Sequence, residues 1–135
     1  MRYFASTPKS IWATKVNFVD DNNVLVGYDF AGSCCEDFGW YIHDKVGRTN
    51  GEDPIFSDCI DETALNESLK EWTFDTAFFD ELSNGDGYDQ ENIAVFRLVN
   101  GDNELFLHLY NSHNGYYGHG FDFSVDGKII ETGIL

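Results

Sequence analysis

The strongest constraint on the fold lies in the C-terminal third. There "NIAVFRLVN", "ELFLHLYNS", "YYGHGFDFSV" and "KIIETGIL" are four apolar-rich runs punctuated by Asn100-Gly101, Asn114-Gly115 and Asp126-Gly127. Asn-Gly and Asp-Gly are the favoured pairs of two-residue type I′ hairpin turns, whose central residues both take positive φ. The pattern predicts a four-stranded antiparallel meander. Phe121, Phe123 and Val125 alternate with Asp122, Ser124 and Asp126, giving one core face and one wet face. Leu105, Leu107 and Leu109 alternate instead with Phe106, His108 and Tyr110, so that strand is expected to be central and covered on much of both faces. A turn centred on Asn114-Gly115 would pair His113 with Tyr116, Tyr110 with His119, and His108 with Phe121.

Upstream, "IWATKVNFVDDNNVLVGYDF" reads as two strands around a polar turn from Asp20 to Asn23, a hairpin that either joins or faces the meander. "AGSCCEDFGW" follows as a turn or short helical turn, "WYIHDK" resumes an extended run, and Gly47, Asn50-Gly51 and Pro54 mark a long loop from Val46 to Asp58. "DETALNESLKEW" places Leu65, Leu69 and Trp72 at helical spacing, with Asp61 or Asp58 as N-cap. "DTAFFDELSNG" extends that helix or forms a second short one, stopped by Asn84-Gly85. The expected fold is therefore α+β in a single domain over residues 1–135. It has an antiparallel sheet, made of the N-terminal hairpin and the meander, with one or two helices from about 61–83 packed on one face.

Composition bounds the function. With 42% hydrophobic and 16% aromatic residues, the 135-residue chain can bury a core without metal or disulfide support. Eight Lys and Arg against 24 Asp and Glu give a formal charge of −16, which repels nucleic acid and anionic membrane and steers toward basic surfaces. The three cysteines show no framework spacing, and the N-terminal stretch has no apolar signal-peptide core. A reduced, cytoplasmic protein is expected. No P-loop, dinucleotide fingerprint or Gly-x-Ser-x-Gly elbow is present, so the sequence implies no cofactor and no enzyme.

Two motifs carry a resemblance. "GSCCEDFGWYI" contains Gly32, Cys34 and Cys35, and "LYNSHNGYYG" contains Asn111, Ser112, Asn114, Gly115, Tyr116, Tyr117 and Gly118. In order and approximate spacing they resemble an uncharacterised family of small acidic proteins common in phage and bacterial genomes. Its members carry Gly-x-Cys-Cys soon after a strand hairpin and Asn-Ser-x-Asn-Gly-Tyr-Tyr-Gly near the C-terminus. That family has no established activity, so the resemblance implies none, and His113 and His119 depart from its pattern.

Tyr116 and Tyr117 are adjacent on an expected strand and point to opposite faces, so one of them is expected at the surface beside Gly118 and Gly120. The alternative is that the glycines mark a bulge that the tyrosine covers. The expected partner-binding surface comprises Asn114, Tyr116 and Tyr117 with the acidic Glu36, Asp37, Asp86 and Asp89. The leading expectation is a non-enzymatic acidic protein that inhibits or neutralises a basic nucleic-acid-handling partner. It would act as a phage anti-defence inhibitor of the anti-CRISPR or anti-restriction kind, or as a toxin-immunity protein. A competing class is a metal or small-ligand binder built from His108, His119, Cys34 and Cys35, with the two histidines diagonal on one hairpin face. Against it stands the plain reading in which both histidines are packed strand residues. Cys34 and Cys35 are adjacent and ill-suited to a mutual disulfide, and Glu36 and Asp37 would raise the pKa of an outward thiol.

Overall fold

The computed structural model describes residues 1–6, 14–31, 37–49, 51–84, 91–112 and 118–135. Among them eleven strands and one short helix follow in order: β1 (Arg2–Ser6), β2 (Lys15–Val19), β3 (Val24–Asp29), β4 (Asp37–His43), β5 (Phe56–Ser57), α1 (Glu62–Ser68), β6 (Thr73–Phe74), β7 (Asp80–Asn84), β8 (Glu91–Asn100), β9 (Asn103–Ser112), β10 (Gly120–Val125) and β11 (Lys128–Ile134). They form two sheets, ordered β1-β2-β3-β10-β11 and β5-β4-β9-β8-β6, with β7 also on β8. Every pairing is antiparallel.

The first hairpin follows its apolar alternation. Val16, Phe18, Val24, Val26 and Tyr28 are buried, with Phe18 opposite Val26 and Val16 opposite Tyr28. Asp20 organises the turn. Its buried carboxylate accepts from the backbone N–H groups of Asn22 and Val24, and its second oxygen accepts from Phe74 of β6 in the other sheet.

The four C-terminal runs do not form one meander. The β8–β9 hairpin lies in one sheet and the β10–β11 hairpin in the other, so the chain changes sheets between Ser112 and Gly120. Tyr110 faces Gly39 and Ile93, His108 faces Tyr41 and Val95, and Phe121 faces Tyr28 and Gly133, in place of the pairs expected across Asn114-Gly115. Residues 113–117, with that turn, lie outside the described residues. The reason is packing: Phe96 of β8 meets the rings of Phe121 at 6.0 Å and Phe123 at 5.1 Å, edge to face across the core. Two hairpins can do this only when they stack rather than lie side by side. Phe18 likewise meets Trp40 edge-on at 5.1 Å, and the Tyr28 hydroxyl donates to the Tyr110 carbonyl at 2.8 Å, joining the sheets.

Turn chemistry held at one end and shifted at the other. Asp126 and Gly127 both take positive φ, 51° and 79°, as a type I′ turn requires. Asn100 instead pairs with Asn103, so Gly101 and Asp102 are the central residues, and only Gly101 is left-handed (φ 59°), the pattern of type II′. The strand expected to be central is so: β9 lies between β4 and β8, with Leu107, Leu109 and His108 fully buried.

The helix is shorter than expected. Asp61 caps it, accepting from the Ala64 N–H at 3.2 Å, and Leu65 and Leu69 enter the core. Asn66 exchanges two hydrogen bonds with the Tyr3 backbone, fixing α1 against β1. Beyond Leu69 the expected helical continuation to about 83 is replaced by β6 and β7. Phe78 packs outward on Phe106 (5.6 Å), while Phe79 packs inward on Phe96 (5.5 Å) and Phe121 (5.8 Å). Adjacent rings on opposite faces fit the extended chain that leads into β7 at Asp80 and do not fit a single helical stripe. The fold is thus sheet-dominated, with one seven-residue helix among the described residues, instead of a sheet covered by helices. No helix among those residues is long and apolar enough to cross a membrane.

Candidate functional site

Alternation along β4 sends Trp40 and Ile42 into the core and leaves Asp37, Gly39 and Tyr41 on the opposite face of the sheet. Antiparallel register sets Asp37 beside Ser112, Gly39 beside Tyr110 and Tyr41 beside His108, and Ser112 in turn faces Glu91 of β8. The chain after the loop returns as β5, pairing Ser57 with Tyr41, and the Asp58 N–H donates to the Trp40 carbonyl at 3.2 Å. This places Asp58 over Gly39. A Cβ on Gly39 would overlap the Asp58 carboxylate and come within 3.0 Å of the Tyr110 hydroxyl, so glycine is the floor on which both converge.

The result is a cavity of about 550 Å³ lined by Tyr41, Tyr110, Asp37, Asp58, Glu91 and Arg48, among others. Its outer wall is held by a latch. Gly47 donates its N–H to His108 Nε2 at 3.0 Å, and the Tyr41 hydroxyl donates back to the Gly47 carbonyl at 3.0 Å. With Nε2 accepting, the proton resides on Nδ1, which donates to the Phe106 carbonyl at 3.1 Å. The imidazole stacks flat on Tyr41, with centroids 4.5 Å apart. Burial holds its pKa down to about 4.

The cavity is electronegative. Arg48 is already in contact with Glu91, and the Ser112 hydroxyl donates to the other Glu91 oxygen. Asp37 and Asp58 remain without a basic partner among the described residues. Burial raises the Asp58 pKa, and the Asp37 charge adds to the rise. Burial also pushes the Tyr41 phenol up to about 12, and raises Tyr110 further, where Asp37, Asp58 and Glu91 all contribute. Both phenols therefore stay protonated; the Tyr41 hydroxyl is engaged by Gly47 and one of its ring faces by His108, while the Tyr110 hydroxyl reaches over Gly39 beside the two carboxylates. Such a lining attracts a cation and repels an anion.

Of the residues expected at a partner surface, Asp37 stands on the rim of this cavity. Glu36, Asp86, Asp89, Asn114, Tyr116 and Tyr117 lie outside the described residues. Asp37, Ser112 and Glu91 are neighbours in one row across β4, β9 and β8. His108 and His119 do not come together. His108 lies under the loop on the outer face of β9, whereas His119 stacks on Phe38 at 3.9 Å, with Nδ1 at 2.8 Å from the Asp29 carbonyl. Both ring nitrogens of His108 are engaged by backbone groups, so it has no lone pair for a metal. Cys34 and Cys35 lie outside the described residues, and among those residues no group of three His, Cys, Asp or Glu side chains is arranged to hold a metal ion.

Gly39, Tyr41, Arg48, Asp58, Glu91 and Tyr110 were not among the residues expected at a site from the sequence pattern. The available signal was Gly39, a glycine inside a strand, which marks close approach of another group. Comparison with protein-family models, with curated proteins and with solved structures finds no match for the chain. Fold and site together define the class as a two-sheet antiparallel protein with an acidic, tyrosine-walled cavity on one outer face.

Proposed function

We propose that this chain is a non-enzymatic binding protein that engages a basic nucleic-acid-handling protein and inhibits or neutralises it, in the manner of a phage anti-defence inhibitor or a toxin-immunity protein. The observation that carries the reading is the excess of carboxylates over cations in the cavity, Asp37, Asp58 and Glu91 against Arg48, on a chain of formal charge −16. Three of the basic side chains elsewhere are spent on internal ion pairs. Lys15 pairs with Asp122, Arg97 with Asp75 and Glu104, and Lys45 with Glu52. The remaining field steers a positively charged surface onto the protein and disfavours direct contact with nucleic acid. A non-enzymatic role is supported by His108: among the described residues it is the one histidine with a strongly depressed pKa, and it serves as a latch under the loop rather than as a base in the cavity.

The test is affinity capture. Immobilised protein is challenged with bacterial lysate at low salt and eluted with a salt gradient, and eluted proteins are assayed for nucleic-acid cleavage or binding with and without the free chain. The reading expects a basic nucleic-acid-handling protein that elutes as salt rises and loses activity when the chain is added. Recovery of no basic protein, or undiminished activity of the one recovered, overturns it.

A further inference from the structure

We infer that the cavity over Gly39 is a receptor for an arginine side chain of the partner, an assignment that rests on the binding reading above. One face of β4 presents, at successive two-residue steps, a carboxylate (Asp37), an empty position (Gly39) and an aromatic ring (Tyr41). Asp58 enters over the empty position from the β5 side, and the Tyr110 hydroxyl reaches the same point from β9. Tyr41 and Tyr110 stand with ring centroids 5.8 Å apart at 46°, forming a bent wall beside the two carboxylates.

A guanidinium matches each part of this lining. Its planar fork donates to carboxylates in pairs and its face stacks on tyrosine, whereas an ammonium is a compact, strongly hydrated point charge that uses neither geometry. A phosphate or carboxylate ligand would meet Asp37, Asp58 and Glu91 with only Arg48, itself held by Glu91, to receive it. Cys59, whose thiol lies 3.7 Å from Asp58 Oδ1, adds no positive charge. At about 550 Å³ the cavity is larger than one side chain needs, leaving room for the backbone of a protruding loop.

The experiment is a nuclear magnetic resonance titration of the ¹⁵N-labelled chain with N-acetyl-arginine amide, N-acetyl-lysine amide and N-acetyl-citrulline amide. Citrulline keeps the shape of arginine without its charge. The expected result is saturable shifts at the Gly39, Asp58 and Tyr110 amides with the arginine compound, about tenfold weaker binding of the other two, and a similar loss in Asp58→Asn. Gly39→Ala, which fills the floor, loses binding while its spectrum stays dispersed, and Glu67→Gln on α1 leaves binding unchanged. No saturable shift at these amides, or equal binding of lysine or citrulline compounds, or wild-type affinity in Asp58→Asn, overturns the inference. Capture of a basic protein that persists when the arginine compound fails removes the inference and leaves the reading. Arginine binding in the cavity without any captured basic protein removes the reading and leaves the site.

Discussion

Gly47 and His108, 61 residues apart in sequence, are joined by a hydrogen bond from the Gly47 N–H to His108 Nε2 at 3.0 Å. The bond exists only while the imidazole is neutral, and burial keeps it so by depressing the pKa to about 4. In the unfolded chain the same group titrates near ~6.5. Protonation therefore favours the unfolded state first. The contribution is fully present above pH ~6.5 and is lost as pH falls toward 4, reaching up to about 3 kcal/mol. Urea midpoints measured from pH 7 to pH 4 should fall for the wild type, and less steeply for His108→Gln. Parallel slopes would show that His108 is not the group responsible.

Asp20 supports a second prediction. Its carboxylate is 5% exposed as a residue and accepts from three backbone N–H groups, Asn22 at 3.0 Å, Val24 at 2.9 Å and Phe74 at 2.8 Å. Asp20→Ala strands those donors in the turn and between the sheets and should cost about 3 kcal/mol in urea unfolding. Asp20→Asn retains one carbonyl oxygen but turns an amide N–H₂ toward a donor, and should cost about half as much. Wild-type stability in the alanine variant would contradict the role.

The β10–β11 turn gives a third. Gly127 sits at φ 79°, where a side chain is strained, so Gly127→Ala should lower stability by about 1 kcal/mol. Asp126→Asn, a residue that also tolerates the left-handed region, should change it by less than about 0.5 kcal/mol. Equal effects from the two would argue against the type I′ geometry.

These turns show what the sequence could and could not tell. Asp126-Gly127 and the Asp20 turn are local chemistry, readable from a few residues, and so is the alternation that buries Phe121 and Phe123. Local chemistry does not say which sheet receives the next strand. β10 left β9 for β3 because Phe121 and Phe123 pack on Phe96 from across the core, a contact no turn motif encodes. Residues 73–84 were open to a helical reading until Phe78 and Phe79 found separate partners on opposite faces. The site was hidden for the same reason. Asp37 was expected at an acidic surface, but Asp37, Asp58, Glu91 and Tyr110 come from four separate stretches and meet only through register, with Gly39 within "FGWYIH" the one further local hint.

Asp58 should stabilise the protein when its charge is removed. Its raised pKa means that the native state takes up a proton more readily than the unfolded chain, so the ionised form weakens the fold above that pKa and the effect fades as pH falls. Because Asp58 is exposed at the cavity mouth, solvent screens most of this, and Asp58→Asn should gain about 0.5 kcal/mol or less at pH 7. The gain should shrink toward pH 4. A loss of stability at neutral pH would mean that the carboxylate holds the fold instead of serving a ligand.

Binding through one acidic face is tested most directly by moving the charge. Asp37→Asn/Asp58→Asn removes two carboxylates from the cavity, and Glu67→Gln/Glu71→Gln removes two exposed ones from α1 and the turn after it, so the net charge changes equally. Affinity for a fluorescein-labelled nona-arginine peptide is then measured by anisotropy at physiological salt. The cavity pair should weaken binding about tenfold and the helix pair less than about twofold. Equal losses in the two variants would show that diffuse charge binds the cation, and would contradict the account.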